Sequence, residues 1–224
     1  MTIELFKNQK HVFWTALLLT IFIFSAGILL GFLIENWRTS KIASLYQQSE
    51  LDLLDIRIQN DIYSLSEIDC TKVIEENINF ADRVFEDAKL LEKYSESSRL
   101  SNSIILQHKK YDLLRTSFWI NSIKLKERCK TDYHNVVYIY DYQNPSLETE
   151  VKQDVFSKLL QELKDKKGNK IMLIPIAGDN NLVSVDTLMN TYGIEEEELP
   201  IILIDEKIKI TNVENIEEIE KYLD

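Results

Sequence analysis

The apolar positions of this chain change rhythm twice. From Val12 to Ile34 they run on without a single charge, in VFWTALLLTIFIFSAGILLGFLI. From about 35 to 131 they recur every three or four residues, the period of an amphipathic helix. One set is Ile42, Leu45, Leu51, Leu54, Ile58, Ile62 and Leu65; a second is Ile74, Ile78, Ala81, Phe85, Ala88 and Leu91. A third is Ile104, Tyr111, Leu114 and Phe118, less regularly followed by Ile123 and Leu125. After about 134 the pattern breaks into short β-branched runs separated by helix-forming stretches and turn residues.

The first segment predicts a membrane-spanning helix over 12–34. Its twenty-three residues rise about 34 Å, against a hydrocarbon core of roughly 30 Å. Trp14 and Trp37 lie near the two ends, where amphipathic rings favour the headgroup zone. The run is too long for the apolar core of a cleaved signal, and no small-x-small cleavage site follows it. A retained anchor with the bilayer as its partner is therefore expected, after a short flank of residues 1–11. Gly27 and Gly31 also match a small-xxx-small pattern, a weak pointer to a homodimer.

The second segment, 35–131, contains no glycine and no proline, so nothing in it forces a break. Asp69-Cys70-Thr71 offers N-cap chemistry for a helix starting near 71. Ser95–Ser98 and Ser101–Ser103 bracket a turn and a new helix start. The expected form is a stalk helix followed by an antiparallel helical hairpin. Cys70 then opens the second helix and Cys129 closes the third, so the hairpin brings its two ends together. A disulfide there would close a loop of about 60 residues and stabilise by roughly 4 kcal/mol in the chain-entropy model. Two unrelated buried thiols are the plain alternative. A disulfide would place the region in an oxidising compartment.

In the third segment, Val136–Tyr140 and Ile171–Ile176 read as strands, and Ile201–Ile204 and Lys207–Ile210 as a hairpin around Asp205-Glu206. Val151, Val155, Phe156, Leu159, Leu160 and Leu163 are assigned to one buried helical face. Val185–Tyr192, ended by Gly193, is a short helix, and Ile216–Leu223 a last one. The order is βαβαββα, and the first two strands, joined by a helix, should be parallel.

Composition narrows the function classes. The formal net charge of −11 argues against an electrostatic nucleic-acid binder. Two cysteines and three scattered histidines, His11, His108 and His134, do not have metal-ligand spacing, and no metal or cofactor is expected. Lys7 and Lys10 before the span balance Arg38 and Lys41 after it. The free amino terminus tips the balance toward a cytoplasmic N-terminus with the bulk of the chain outside, and the cysteine placement agrees.

Residues 134–224 resemble the thioredoxin-like fold. YGIEEEELPIILIDEKIKI is similar to that family's Tyr-Gly-Ile, loop, cis-proline, strand, turn, strand segment, with Pro200 at the cis-proline position and an acidic insertion, Glu195–Glu198, before it. YIYDYQNPSL resembles the aromatic approach to the family's redox site. The resemblance implies that Gln143, Asn144, Pro145 and Ser146 stand where Cys-x-Pro-Cys would be, that Tyr142 replaces the usual tryptophan and that Val137 replaces the buried acid. Thiol–disulfide exchange needs a thiolate, which these positions do not supply, and Ser146 has no neighbouring histidine in sequence to act as its base. The expectation is a membrane-anchored, non-catalytic interaction protein. An extended peptide from an unidentified protein partner would pair with the surface formed by Tyr142, Leu199 and Pro200. The alternative is an oxidoreductase-related role for Cys70 and Cys129.

Overall fold

A computed structural model of the chain describes residues 4–65, 68–95 and 102–223. It is mostly helical, with one apolar N-terminal helix and a C-terminal α/β sheet domain. Met1–Ser44 and Leu45–Asp224 form two compact units. Helix α1 spans Glu4–Leu65. Its stretch His11–Trp37 is long and apolar enough to cross a membrane, and none of it is buried within the protein. A side chain added at Gly27 or Gly31 would meet nothing within 4 Å.

Two further helices follow, α2 (Cys70–Ser95) and α3 (Asn102–Cys129). Asp69 caps α2: its Oδ1 accepts from the backbone N–H of Thr71 at 3.2 Å and of Lys72 at 3.5 Å, satisfying donors that a helix start leaves orphaned. The turn expected between Ser95 and Ser103 falls largely on 96–101, outside the described residues. The far end of the hairpin is closed by a disulfide between Cys70 and Cys129, with Cα atoms 5.5 Å apart. Phe80 meets Phe118 at 5.2 Å between ring centroids, and the Tyr111 hydroxyl donates to the Val84 carbonyl at 2.6 Å.

The sheet contains β1 (His134–Tyr140), β2 (Ile171–Ala177), β3 (Ile201–Ile204) and β4 (Ile208–Ile210), in the order β2-β1-β3-β4. β1 and β2 are parallel, β3 is antiparallel to β1, and β4 is antiparallel to β3. Three helices belong to this part of the chain: α4 (Leu147–Lys167), α5 (Val183–Thr191) and α6 (Glu217–Glu220). This mixed four-stranded sheet with helices is compatible with a thioredoxin-like fold. Pro175 sits in β2, a terminal strand, where a missing N–H costs no ladder bond in the sheet's interior.

Strand parity divides the core. Val136, Tyr138, Ile171, Leu173, Ile202 and Ile204 face one way and meet Phe156, Leu160 and Leu163 of α4, Ile219 of α6 and Phe85 of α2. The opposite residues, among them Val137, Ile139, Met172, Ile174 and Leu203, are equally buried. This second face meets α3, whose Ser122 reaches Met172, and α5, whose Met189 lies beside Ile139 and Gly178. The hairpin and the sheet therefore share one core within Leu45–Asp224. Lys164 of α4 adds an ion pair to Asp82 of α2 at 2.6 Å.

Two helices bury less of their apolar pattern than the sequence predicts. In α4 the buried residues are Phe156, Leu160 and Leu163, while Val151 and Val155 are exposed. At 100° per residue those two positions lie on a separate stripe from the core residues. In α1, Ile56 is buried, whereas Leu51, Leu54 and Ile58 are exposed.

Candidate functional site

The segment after β1 and the segment after β2 lie beside each other, because parallel strands bring their carboxyl ends to the same edge of the sheet. Gly178 N–H donates to the Tyr140 carbonyl at 2.8 Å and prolongs the ladder by one bond. Gly178 has no room for a side chain: a Cβ there would lie 2.8 Å from Leu199 Cδ1 and 3.0 Å from Ile139 Cγ2. Glycine at this position lets the chain turn away while Leu199 packs over it. The next residue, Asp179, then reaches back to the 141–146 loop. Its carboxylate accepts from the backbone N–H of Tyr142 at 2.9 Å and from that of Gln143. The Gln143 side-chain amide donates to the Asp179 carbonyl at 2.8 Å. Asp141 N–H is held by Gln153 Oε1 of α4 at 2.8 Å.

These contacts assign work to two of the four residues that the resemblance places at a redox loop. Gln143 is a strut between two loops. Ser146 is the N-cap of α4: its Oγ accepts from Thr149 N–H at 3.1 Å, and Glu148 and Glu150 in the first turn complement the helix dipole. Asn144 is exposed and Pro145 half-buried. Leu199 and Pro200 are buried, joined by a cis peptide bond, as the sequence predicts. Tyr142 is half-buried, its ring stacked on His108 at 3.6 Å between centroids.

His108 belongs to a polar cluster under this loop, built on α3. Asp112, with 0% of its surface exposed, and Arg115, with 3%, follow it one and two helical turns later. The His108 Nδ1–H donates to Asp112 Oδ2 at 2.8 Å, since a carboxylate can only accept. His108 Nε2 and the Tyr140 hydroxyl are hydrogen-bonded at 3.2 Å. Asp112 also accepts from Arg115 Nη1 at 3.3 Å, from Ala177 N–H at 3.4 Å and from the Asn180 side chain. Arg115 lies over the Tyr111 ring at 4.2 Å. Burial alone would push its pKa down; the Tyr140 and Tyr111 oxygens and the Asp112 carboxylate outweigh it and hold the guanidinium above its ordinary value. The result ties α3 to the carboxyl ends of β1 and β2, the edge at which open α/β sheets place their ligand sites.

Above the cluster the loop is acidic. Burial, a hydrogen bond with Asp179 and the Asp179 charge together push the Asp141 carboxyl up to about 6, with a smaller contribution from Glu196. Glu196 belongs to the Glu196–Glu198 turn ahead of Pro200, so the acidic insertion reaches the same edge of the sheet.

A second polar group holds the opposite end of β1. Asp205 and Glu206, at the tip of the β3–β4 hairpin, both have positive φ, 47° and 60°, a conformation that favours Asn-Gly. Side chains offset that cost. Lys126 and His134 bind Asp205, and Trp119 Nε1–H and Asn135 Nδ2–H donate to Glu206 Oε1 at 2.7 and 3.0 Å. Lys126, His134 and the Asn135 N–H hold the Asp205 carboxyl below its usual value despite burial. Among the described residues no group of three His, Cys, Asp or Glu side chains converges as metal ligands would.

Sequence reasoning found the loop and missed what lies beneath it. His108, Asp112 and Arg115 carry one available signal: polar residues spaced four and three apart, interleaved with the apolar set Tyr111, Leu114 and Phe118 on the same helix. Comparison of the chain with protein-family models, with curated proteins and with solved structures returns no match.

Proposed function

We propose that this is a single-pass membrane protein with a thioredoxin-like C-terminal domain that has exchanged redox chemistry for docking. The N-terminus is cytoplasmic and the sheet domain extracytoplasmic; His11–Trp37 is the anchor. The strand order and the cis Leu199–Pro200 bond support the fold reading. One observation carries the functional reading: the 143–146 loop holds no thiol, and Gln143 and Ser146 are already engaged. Asp179 clamps the backbone of Tyr142 and Gln143, and Ser146 caps α4. A loop held this way is a rigid surface, which lowers the cost of ordering on binding.

Since Leu199 and Pro200 are buried, the docking surface is the exposed rim around the loop, with Asn144 at its centre, rather than those two side chains. The test is site-specific photo-cross-linking in intact cells, with a photoreactive residue at Asn144 and, as control, at exposed Glu217. The expected result is a protein adduct from Asn144 alone, protease sensitivity of the domain from outside, and no turnover of an insulin disulfide by the purified chain. Disulfide turnover, or an adduct from Glu217 and none from Asn144, would sink the reading.

A further inference from the structure

The exposed stripe on α4 has no role in the core. Leu147, Val151 and Val155 stand one turn apart, exposed by 77, 59 and 42%, and the stripe begins at the first residue of the helix, next to the 143–146 loop. Val183, the first residue of α5, is exposed as well. Scattered surface leucines and valines are ordinary; three in register along one helix form a continuous apolar strip about two turns long.

The surroundings of the strip are acidic. On the helical wheel Glu148 lies on one side of it and Glu150 and Asp154 on the other, all exposed. The first two also serve the helix dipole, but Asp154 lies beyond the first turn, where that effect has faded. Asp141 and Asp179 stand behind the loop, and Glu196 is near enough to act on Asp141. Against these carboxylates the strip has Lys152, drawn over the Phe156 ring at 5.7 Å, and Lys158 at its far end. An apolar strip with a mainly acidic rim selects its occupant by both features.

We infer that Leu147, Val151 and Val155, with the rim of Glu148, Glu150 and Asp154, form a docking face for a basic amphipathic helix of a partner protein. This names the partner chemistry of the docking surface proposed above and rests on that reading. The partner's apolar residues recur at the spacing of the strip, and its lysines or arginines flank them. A second copy of this chain would bring a like-charged rim against its own, which disfavours self-association through this face.

The experiment titrates a fluorescent helical peptide of leucine and lysine, leucines at every fourth position, into the full chain in nanodiscs of uncharged lipid. The signal from empty discs is subtracted, since such peptides also bind bilayers. Leu147→Asn with Val151→Asn changes only exposed positions and should weaken binding about tenfold or more, the loss expected of a truncated apolar anchor. Glu148→Lys with Asp154→Lys should weaken binding and flatten its salt dependence. Ile58→Asn, on the exposed α1 stripe, should change nothing. A lysine-only peptide that binds as tightly as the leucine–lysine peptide, or binding that survives the α4 changes and is lost with Ile58→Asn, overturns the inference. If Asn144 yields an adduct in cells but the peptide does not bind, the basic-helix partner is refuted and the docking reading stands. If Asn144 yields none, both fall.

Discussion

Removing the carboxylate of Asp112 tests whether the cluster under the loop is what holds α3 to the sheet. Asp112 is wholly buried and accepts from four groups on three segments: His108 and Arg115 on α3, Ala177 at the end of β2, and Asn180 beyond it. Asp112→Asn keeps the shape but leaves the Arg115 guanidinium, 3% exposed, without its counter-charge, and turns an amide donor toward groups that themselves donate. Breaking one partner of a buried ion pair costs about 3–5 kcal/mol, a large share of the roughly 5–15 kcal/mol that stabilises a typical domain. The Tyr111 face over which Arg115 lies cannot make up that loss, since a cation–π contact contributes about 2 kcal/mol when desolvated. Arg115→Met, the reciprocal change, strands the carboxylate instead. The two changes together remove both charges, so the double variant should be less destabilised than the sum of the singles by about 2 kcal/mol, within the range found for coupled neighbours. The assay is urea unfolding of the full chain in nonionic detergent, followed by fluorescence of Trp119, which is buried beside Tyr192 at 5.4 Å between centroids. Trp14 and Trp37, in the His11–Trp37 stretch, supply a background common to all variants. A cost for Asp112→Asn below about 1 kcal/mol, the size of an ordinary surface hydrogen bond, or strict additivity in the double variant, would refute the reasoning.

Three further outcomes follow from the same geometry. Replacing Cys70 or Cys129 by serine opens a loop closed across 59 residues and should lower stability by about 2–5 kcal/mol; non-reducing peptide mapping of the acid-quenched wild type should recover the cross-linked 70–129 peptides, and two alkylatable thiols there would contradict the bond. Ser146→Ala removes the cap of α4 and should cost about 1 kcal/mol, whereas Ser146→Asp should retain it; urea midpoints decide, and equal losses for both would show that the cap is not what the hydroxyl contributes. Asp141 is a carboxyl whose folded pKa, about 6, lies above the ordinary value of 3.8, so the folded state holds its proton more tightly and stability falls as pH rises through that window. Asp141→Asn should therefore flatten the stability profile between pH 4 and about 6 and leave the protein more stable than wild type at neutral pH; an unchanged profile counts against the Asp141–Asp179 interaction.

Periodicity identifies a stripe, and punctuation marks where an element ends, which is why so many boundaries are legible in the sequence. Asp69 does cap α2, Gly193 does adopt positive φ after α5, and the Cys70–Cys129 bridge follows from a single statement, that two consecutive helices run antiparallel. Periodicity does not say which of two stripes is buried. In α4 the apolar pattern groups the valines with Phe156 on one face, yet 100° per residue separates Val151 and Val155 from the Phe156–Leu160–Leu163 side. In α1 the buried residue is Ile56, while the more regular series Leu51, Leu54 and Ile58 faces out. The helix turns toward whatever surface packing offers, and that surface is created by residues far away in sequence. The same limit hid the polar cluster. His108, Asp112 and Arg115 have the spacing of a surface ion-pair ladder, and only the arrival of Ala177 and Asn180, 65 and 68 residues further on, converts it into a buried network. The loop above it was legible because its meaning lay in residue types that are missing. A missing thiol can be read from a sequence; a carboxylate that reaches back from a neighbouring strand to hold the same backbone cannot, since Asp179 becomes a clamp for Tyr142 and Gln143 only once β1 and β2 run parallel and Gly178 lets the chain turn.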